Sequence, residues 1–295
     1  MRLLYIVVDD LTPSAEELQR LTAGGQVAVG EGSTFTVEPI DMGPRRYYEN
    51  AVGLAMCVPG ILLKLVERQH DFDAALIGCW GDPGLRAART ISAIPVIGAA
   101  EASVALASGK AQRFGIVTIE SSDIPEIEAY VAGLEAIDRC AGVRAVELPF
   151  YALVDDPAET LRRLVEQSRP LIEAGAQAIL LGCMSFGFYP FASRLQEAIG
   201  IPVIDPLLAG VSAARSAVAS GLPASRWAVA PIDDMAPLVE WLDAVRAGLG
   251  ERAAQAVGAP SPPSTGMASS GPGQGGAVEQ SMRSFSPPTT RSWNS

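Results

Sequence analysis

Short apolar runs alternate with longer amphipathic segments over most of this chain. A brief apolar run that ends at Gly or at a turn is typical of a buried parallel strand. Such runs occupy residues 3–8, 34–37, 74–79, 95–98, 113–118, 143–148, 178–183 and 203–204. Because the runs alternate with helical patterns, the chain is predicted to have an α/β fold whose mostly parallel sheets are flanked by helices.

The segments between the runs predict the helices. These cover residues 14–21, 46–69, 83–91, 101–107, 123–134, 157–173, 191–199, 207–219 and 235–249. Two helix starts carry a specific signal. Asp82 stands before Pro83, which is typical of an N-cap followed by the first helical residue. Asp123 stands three residues before Glu126, which predicts that Asp123 caps its own helix.

Two segments of the chain repeat each other. Residues 74–79 read AALIGC and residues 178–183 read AILLGC. Ile-Pro-Val-Ile then recurs at 94–97 and at 201–204. A doubled β/α unit is the simplest explanation, and it predicts two similar halves that each carry one Gly-Cys turn.

The repeat divides the chain into two predicted lobes and a tail. Lobe 1 holds residues 1–98 and about 208–248, and lobe 2 holds residues 99–207. Residues 251–295 are rich in Ser, Pro and Gly and have no apolar period. Such a segment cannot bury enough surface to offset its ordering entropy, so it is predicted to be a disordered low-complexity tail.

Composition excludes several classes of function. The formal net charge of −11 argues against a nucleic-acid partner, because phosphate binding needs clustered Lys and Arg. No apolar stretch is long enough to span a bilayer, and the N-terminal run lacks a signal-peptide cleavage site. The four cysteines show no metal-ligand spacing, which predicts no metal site and free thiols in a reducing cytoplasm.

The repeated cysteines, Cys79 and Cys183, are the candidate catalytic residues. Ligands of open α/β sheets lie beyond the carboxyl ends of strands, so two facing halves would place both thiols on one substrate. The preceding Gly lets the substrate approach the backbone. The helix N-terminus that follows favours a thiolate and can hold an oxyanion. Cys57 inside a helix and Cys140 at a helix end are interpreted as structural.

The residues around both cysteines resemble a known family. Residues 79–85 (CWGDPGL) and 95–98 (PVIG) are similar to the first cysteine motif of the hydantoin racemases. Residues 114–118 (FGIVT) resemble their middle strand, and residues 181–183 (LGC) resemble their second motif. The resemblance covers roughly residues 1–248 and places the chain in the aspartate/glutamate/hydantoin racemase superfamily.

This resemblance implies two α/β lobes with the active site in the cleft between them. It also implies that no cofactor is needed and that one cysteine acts on each face of the substrate Cα. Gly81, Thr118 and the backbone after Cys183 are implied to line the substrate. The candidate substrate-binding residues are Asp9, Asp10, Trp80, Gly81, Thr118, Met184 and Ser185.

The chain departs from the family pattern after its first strand. Hydantoin racemases usually carry Asn-Pro-Asn-Thr there, whereas this chain has Asp9-Asp10-Leu11-Thr12. A carboxylate accepts hydrogen bonds but cannot donate them, so an acid here favours a substrate that offers N–H groups. The alternative is that Asp9 or Asp10 merely caps the next helix. Phe186 and Tyr189, near Cys183, would reshape the pocket.

The sequence thus predicts a cofactor-independent racemase or epimerase in which two cysteines form an acid/base pair on the Cα of a hydantoin or amino-acid-like substrate. One alternative is a cis–trans isomerase similar to maleate isomerase, in which a cysteine attacks the substrate. The other is a non-catalytic small-molecule binder that kept the cleft. We expect a cytoplasmic homo-oligomer without nucleic-acid or membrane partners.

Overall fold

The computed structural model describes residues 1–8, 13–41, 50–148, 152–222, 232 and 234–257. The chain divides into two units, Met1–Ala253 and Ala254–Ser295, and both sheets belong to the first. Asp9, Asp10 and Leu11 lie outside the described residues, as does the predicted tail from residue 258 onward. Within the described ranges, no helix is long and apolar enough to cross a membrane.

The strands form two parallel four-stranded sheets, as predicted. They are β1 (Arg2–Val7), β2 (Thr34–Pro39), β3 (Ala74–Ile77), β4 (Val96–Ile97), β5 (Phe114–Thr118), β6 (Cys140–Ala145), β7 (Ala178–Leu181) and β8 (Val203–Ile204). The first sheet has the order β2-β1-β3-β4 and the second has the order β6-β5-β7-β8. The two sheets therefore share one topology, which is the structural form of the sequence repeat.

Helices cover both sheets. They are α1 (Ala15–Val29), α2 (Ala51–Arg68), α3 (Leu85–Ile91), α4 (Ala99–Ser108), α5 (Ile124–Gly133), α6 (Ala152–Asp155), α7 (Pro157–Glu173), α8 (Phe191–Ile199), α9 (Pro206–Ser220) and α10 (Ala236–Val257). The predicted bounds of α7 and α8 are confirmed. α10 continues past its predicted end at residue 249, and Cys140 begins β6 rather than ending a helix.

Strand alternation distributes the core on two faces of each sheet. In β1, Leu3 and Tyr5 join a cluster that also contains residues of the second sheet, whereas Leu4 and Ile6 pack against α2. Helices α4 and α9 contact each other and both contribute to the shared cluster. Most buried residues of α4 are Ala, and those of α9 include Ala209, Gly210 and Ala214, so small side chains allow the two helices to approach closely.

The Gly of each Gly-Cys pair lies against the backbone of the neighbouring strand. The N–H of Gly78 donates to the carbonyl of Ile6, and that of Gly182 donates to the carbonyl of Val117, both at 2.8 Å. A Cβ at residue 78 would lie 2.5 Å from the same Ile6 oxygen, and one at residue 182 would lie 2.9 Å from a methyl carbon of Ile116. Glycine is therefore required at both positions by packing within the sheet.

We expect Gly78→Ala to lower the free energy of unfolding by about 1–3 kcal/mol, because an added methyl group in a filled site forces the backbone to shift. Urea denaturation measures this change. Gly133→Ala in α5 is the matched control, since nothing lies within 4 Å of the position of its Cβ. Equal stability of Gly78→Ala and the wild type would contradict the packing explanation.

Candidate active site

A cavity of about 330 Å³ lies at the carboxyl ends of β3, β5 and β7. The first half of the chain contributes Val8, Leu54 and residues 78–81 to its wall. The second half contributes residues 118–120, residues 182–185 and the face of α5, with Asp123, Glu126, Ile127, Ala129 and Tyr130. The wall is therefore shared by the two repeated halves.

Both repeated cysteines border this cavity at equivalent positions. Cys79 follows Gly78 after β3, and Cys183 follows Gly182 after β7. Each begins a turn, because the carbonyl of Cys79 accepts from the N–H of Asp82 and that of Cys183 accepts from the N–H of Phe186, both at 3.2 Å. Two half-buried thiols, one from each half, thus face one cavity.

The surroundings of Cys79 oppose its ionisation. Burial is the largest influence and raises the pKa of the thiol far above its usual range, and negative charges on Cys183 and Asp82 raise it further. The backbone N–H of Gly81 donates to the thiol and lowers this pKa. The predicted lowering by a following helix is wrong for Cys79, because α3 begins only at Leu85, beyond the turn.

The residues next to the cysteines complete the floor of the cavity. Trp80 and Met184 are buried, whereas Gly81 and Ser185 are half-buried, and all four border the cavity. Among the described residues, the buried indole Nε1 of Trp80 has no hydrogen-bond partner. Buried polar groups usually have hydrogen-bond partners, so this N–H is an exception among the buried side-chain groups described.

Asp82 does not cap α3 as predicted. Gly84 is the N-cap of α3, and Asp82 itself takes a left-handed φ of 46°. Its carboxylate accepts from the N–H groups of Ala100 at 3.1 Å and Glu101 at 2.9 Å, at the start of α4. A Cβ at residue 98 would lie 2.3 Å from Asp82 Oδ2, so Gly98 leaves the space that the carboxylate fills. This tertiary contact outweighs the local capping signal.

Tyr130 of α5 is a further partner of Asp82. Its hydroxyl donates to Asp82 Oδ2 at 2.8 Å. Asp82 is only 3% exposed, and burial raises its pKa to about 7, against the opposing effect of its hydrogen bonds. Burial, followed by the charge of Asp82, raises the pKa of Tyr130. The sequence assigned Tyr130 no role, since a single Tyr on an amphipathic helix carries no local signal for such a contact.

Thr118, at the end of β5, connects two parts of the wall. Its hydroxyl lies 2.9 Å from Asp123 Oδ2, to which it donates, and 3.4 Å from the carbonyl oxygen of Gly182. Asp123 is the N-cap residue of α5, as predicted, but its side chain makes no capping hydrogen bond to that helix and instead accepts from Thr118 and from the N–H of Glu120. Burial raises the pKa of Asp123, whereas the Thr118 hydroxyl lowers it.

The cavity wall is acidic. Glu120, Asp123 and Glu126 border it, and none of the described lining residues is Lys, Arg or His. The remaining two cysteines are elsewhere: Cys57 is buried in α2 with its thiol 3.5 Å from the carbonyl oxygen of Val8, and Cys140 begins β6.

Comparisons with known proteins agree with this architecture. The Asp/Glu/hydantoin racemase family profile matches residues 27–214. Hydantoin racemases from Rhizobium meliloti and Pseudomonas sp. (strain NS671) are 38% and 35% identical over 180 and 190 residues. These alignments cover 60% and 63% of this chain and 74% of each relative.

Solved structures show the same fold. Allantoin racemase from Klebsiella pneumoniae has a TM-score of 0.70 and 30% identity, over 79% of this chain and 94% of its own. A glutamate racemase from Bacillus anthracis has a TM-score of 0.52 and 17% identity, over 76% of this chain and 84% of its own. At that identity, the second likeness concerns the fold alone.

We expect Thr118→Val to raise the pKa of Asp123 further, because the carboxylate loses a charge-stabilising hydrogen bond. Thr118→Ser, which keeps the hydroxyl, is the matched control and should leave that pKa near the wild-type value. Carboxyl-carbon NMR titration measures both, with Asp123→Asn used to assign the resonance. An unchanged titration in Thr118→Val would show that the hydroxyl does not stabilise the Asp123 carboxylate.

Proposed function

The chain belongs to the Asp/Glu/hydantoin racemase family, and we propose that it is a cofactor-independent racemase or epimerase that uses Cys79 and Cys183 as its acid/base pair. The observation that carries this proposal is the pair of equivalent Gly-Cys turns, one from each half, which border the same cavity. A carbon bound between the two thiols can lose a proton from one face and gain one on the other.

In the proposed reaction, one cysteine removes a proton from the substrate Cα and the other cysteine supplies a proton to the same carbon. The thiolate of one cysteine takes the Cα proton, and the electron pair shifts onto the adjacent carbonyl to form an enolate. The thiol of the other cysteine then protonates the opposite face. Backbone N–H groups of the two turns are proposed to stabilise the enolate oxygen.

Mutual repulsion supports a shared role for the two thiols. Negative charge on Cys183 raises the pKa of Cys79, so the state with both thiols ionised is disfavoured. Burial already disfavours ionisation of Cys79, so at most one of the two thiols is expected to be ionised at a time. One base and one acid are what racemisation requires at the start of each turnover.

We propose a neutral, N–H-rich cyclic substrate of the hydantoin type. Glu120, Asp123 and Glu126 would repel a dicarboxylate, and no described residue of the wall offers a cation to hold one. Carboxylates accept hydrogen bonds from N–H groups, which a 5-substituted hydantoin provides. The similar proteins are hydantoin and allantoin racemases by name, which supports the same substrate class.

We expect Cys79→Ser and Cys183→Ser each to lower racemisation of a 5-substituted hydantoin by about 10²–10⁴-fold, because serine is too weak an acid to supply the base or the proton. Polarimetry measures racemisation, and NMR in D₂O measures exchange at Cα. We expect each variant to retain Cα exchange without inversion, from a single enantiomer. Cys140→Ser, which is remote from the cavity, is the control and should keep full activity.

The same measurements separate the alternatives. A racemisation rate equal to that of the wild type in either cysteine variant would overturn the two-thiol mechanism. Absence of Cα exchange across hydantoins, allantoin and free amino acids would favour a binding protein, and isomerisation of maleate would favour a cis–trans isomerase.

We also propose that Asp9 and Asp10 help to select the substrate, on the basis of their place after the first strand. Asp9→Asn together with Leu11→Asn restores the two amides of the usual family pattern, and we expect it to raise kcat/KM for hydantoins that bear a carboxylate, because a like charge is removed. Steady-state kinetics on paired neutral and carboxylated hydantoins provides the measurement. An unchanged preference would mean that these residues do not select the substrate. The alternative that one of them caps the next helix is wrong, because the N-cap of α1 is Ser14, whose side chain accepts from the N–H of Glu17 at 3.1 Å.

A further inference from the structure

One buried hydrogen bond joins the Cys79 turn to the opposite half of the molecule. Asp82 ends the turn that begins at Cys79, and Tyr130 lies on α5, which packs on the second sheet. Tyr130 also borders the cavity. The Tyr130–Asp82 bond of 2.8 Å therefore runs from one wall of the site to the turn that carries the first thiol.

The repeat itself supplies a comparison. In the second half, Asp205 caps α9 by accepting from the N–H of Leu208 at 3.0 Å. In the first half, the equivalent position is Gly98, and Asp82 reaches over from the Cys79 turn to cap α4 instead. Both halves thus place a carboxylate at the start of the helix after Ile-Pro-Val-Ile. In the first half, this carboxylate also belongs to the cysteine turn.

We propose that Asp82 and Tyr130 form a positioning pair that holds the Cys79 turn in its working conformation. This inference rests on the proposed function in so far as Cys79 is a catalytic residue. Neither member of the pair is assigned a proton-transfer step.

The conformation of the turn needs such support. A non-glycine residue at positive φ is strained, and it persists only when its surroundings determine it. Asp82 adopts φ 46° while its own N–H donates to the Cys79 carbonyl and its carboxylate accepts three hydrogen bonds, from Ala100, Glu101 and Tyr130. Release of the carboxylate would let the turn relax and would move the Gly81 N–H away from the Cys79 thiol.

Charge makes this support sensitive to pH. Burial disfavours the ionised carboxylate of Asp82 by more than its three hydrogen bonds favour it, so its pKa in this buried position is raised to about 7. The charged or titratable groups around Asp82 are Tyr130, Cys79 and Glu101, the last of which pairs with Arg89 at 2.7 Å. A carboxyl released into water would ionise at its ordinary, lower pKa, so protonation favours the buried arrangement, and the turn should loosen as the pH rises toward about 7.

Hydrogen exchange read by mass spectrometry tests the pair without any assumption about the substrate. In Tyr130→Phe, which keeps the ring, we expect amide exchange in residues 79–85 to become about tenfold faster through loss of one charge-assisted hydrogen bond. Asp82→Asn should do the same. It should also remove the loosening with rising pH that we expect of the wild type after correction for intrinsic exchange. Asp205→Asn is the matched control, in which exchange should rise at the start of α9 but not in residues 79–85.

Kinetics completes the test. We expect Tyr130→Phe to lower kcat for racemisation about tenfold with little change in KM, because the pair positions a catalytic group and does not bind substrate. Unchanged exchange in residues 79–85 of Tyr130→Phe would overturn the inference whatever the activity. A raised KM with unchanged exchange would overturn it too, since Tyr130 would then be a substrate contact. If the wild type racemises nothing but the exchange results hold, the proposed function fails and the positioning pair stands.

Discussion

Before each of the two cysteines, the backbone passes so close to the neighbouring strand that a Cβ does not fit at residue 78 or at residue 182. The backbone oxygen of Ile6 and the methyl group of Ile116 occupy the space that a side chain would take at residues 78 and 182. This contact fixes the backbone at the residue before each cysteine, and so it sets where each turn begins. Because the two sheets share one topology, the same constraint delivers both thiols to one cavity.

The electrostatics of the cavity follow from this placement. A turn fixed against the sheet cannot expose its cysteine fully to water, so burial becomes the main influence on the pKa of Cys79. The Gly81 N–H offsets part of that effect, and the charge of a second thiolate opposes it. A thiol that ionises reluctantly is a strong base once ionised. Burial therefore lowers the fraction of Cys79 that is ionised and raises the basicity of the thiolate that does form. A strongly basic thiolate is what removal of a carbon-bound proton would require.

Local patterns predicted the elements well and the side-chain partners poorly. The apolar runs located the eight strands found in the described parts of the chain, and the repeated Gly-Cys pairs led to the cavity, because strand period and turn chemistry are properties of short segments. Asp82 and Asp123 both carried capping signals, yet each accepts hydrogen bonds elsewhere. Asp123 bonds to Thr118, five positions earlier, where the chain turns from β5 toward α5, whereas Asp82 meets α4 only when the first sheet is assembled. Tyr130 could not be foreseen for the same reason, since its contact joins residues 48 positions apart.

The two halves of the repeat differ in the position of the carboxylate that caps the helix after Ile-Pro-Val-Ile. In the second half, Asp205 caps α9, and Gly187 of the Cys183 turn leaves space for its carboxylate. In the first half the roles are exchanged: Asp82 of the Cys79 turn caps α4, and Gly98 leaves space for it. Burial raises the pKa of both carboxyls, to about 6 for Asp205 and about 7 for Asp82. Only the first arrangement places this acid in the same turn as a cysteine, so the charge of Asp82 acts directly on Cys79. Two turns that are alike in backbone thus differ in the charged group that accompanies the cysteine.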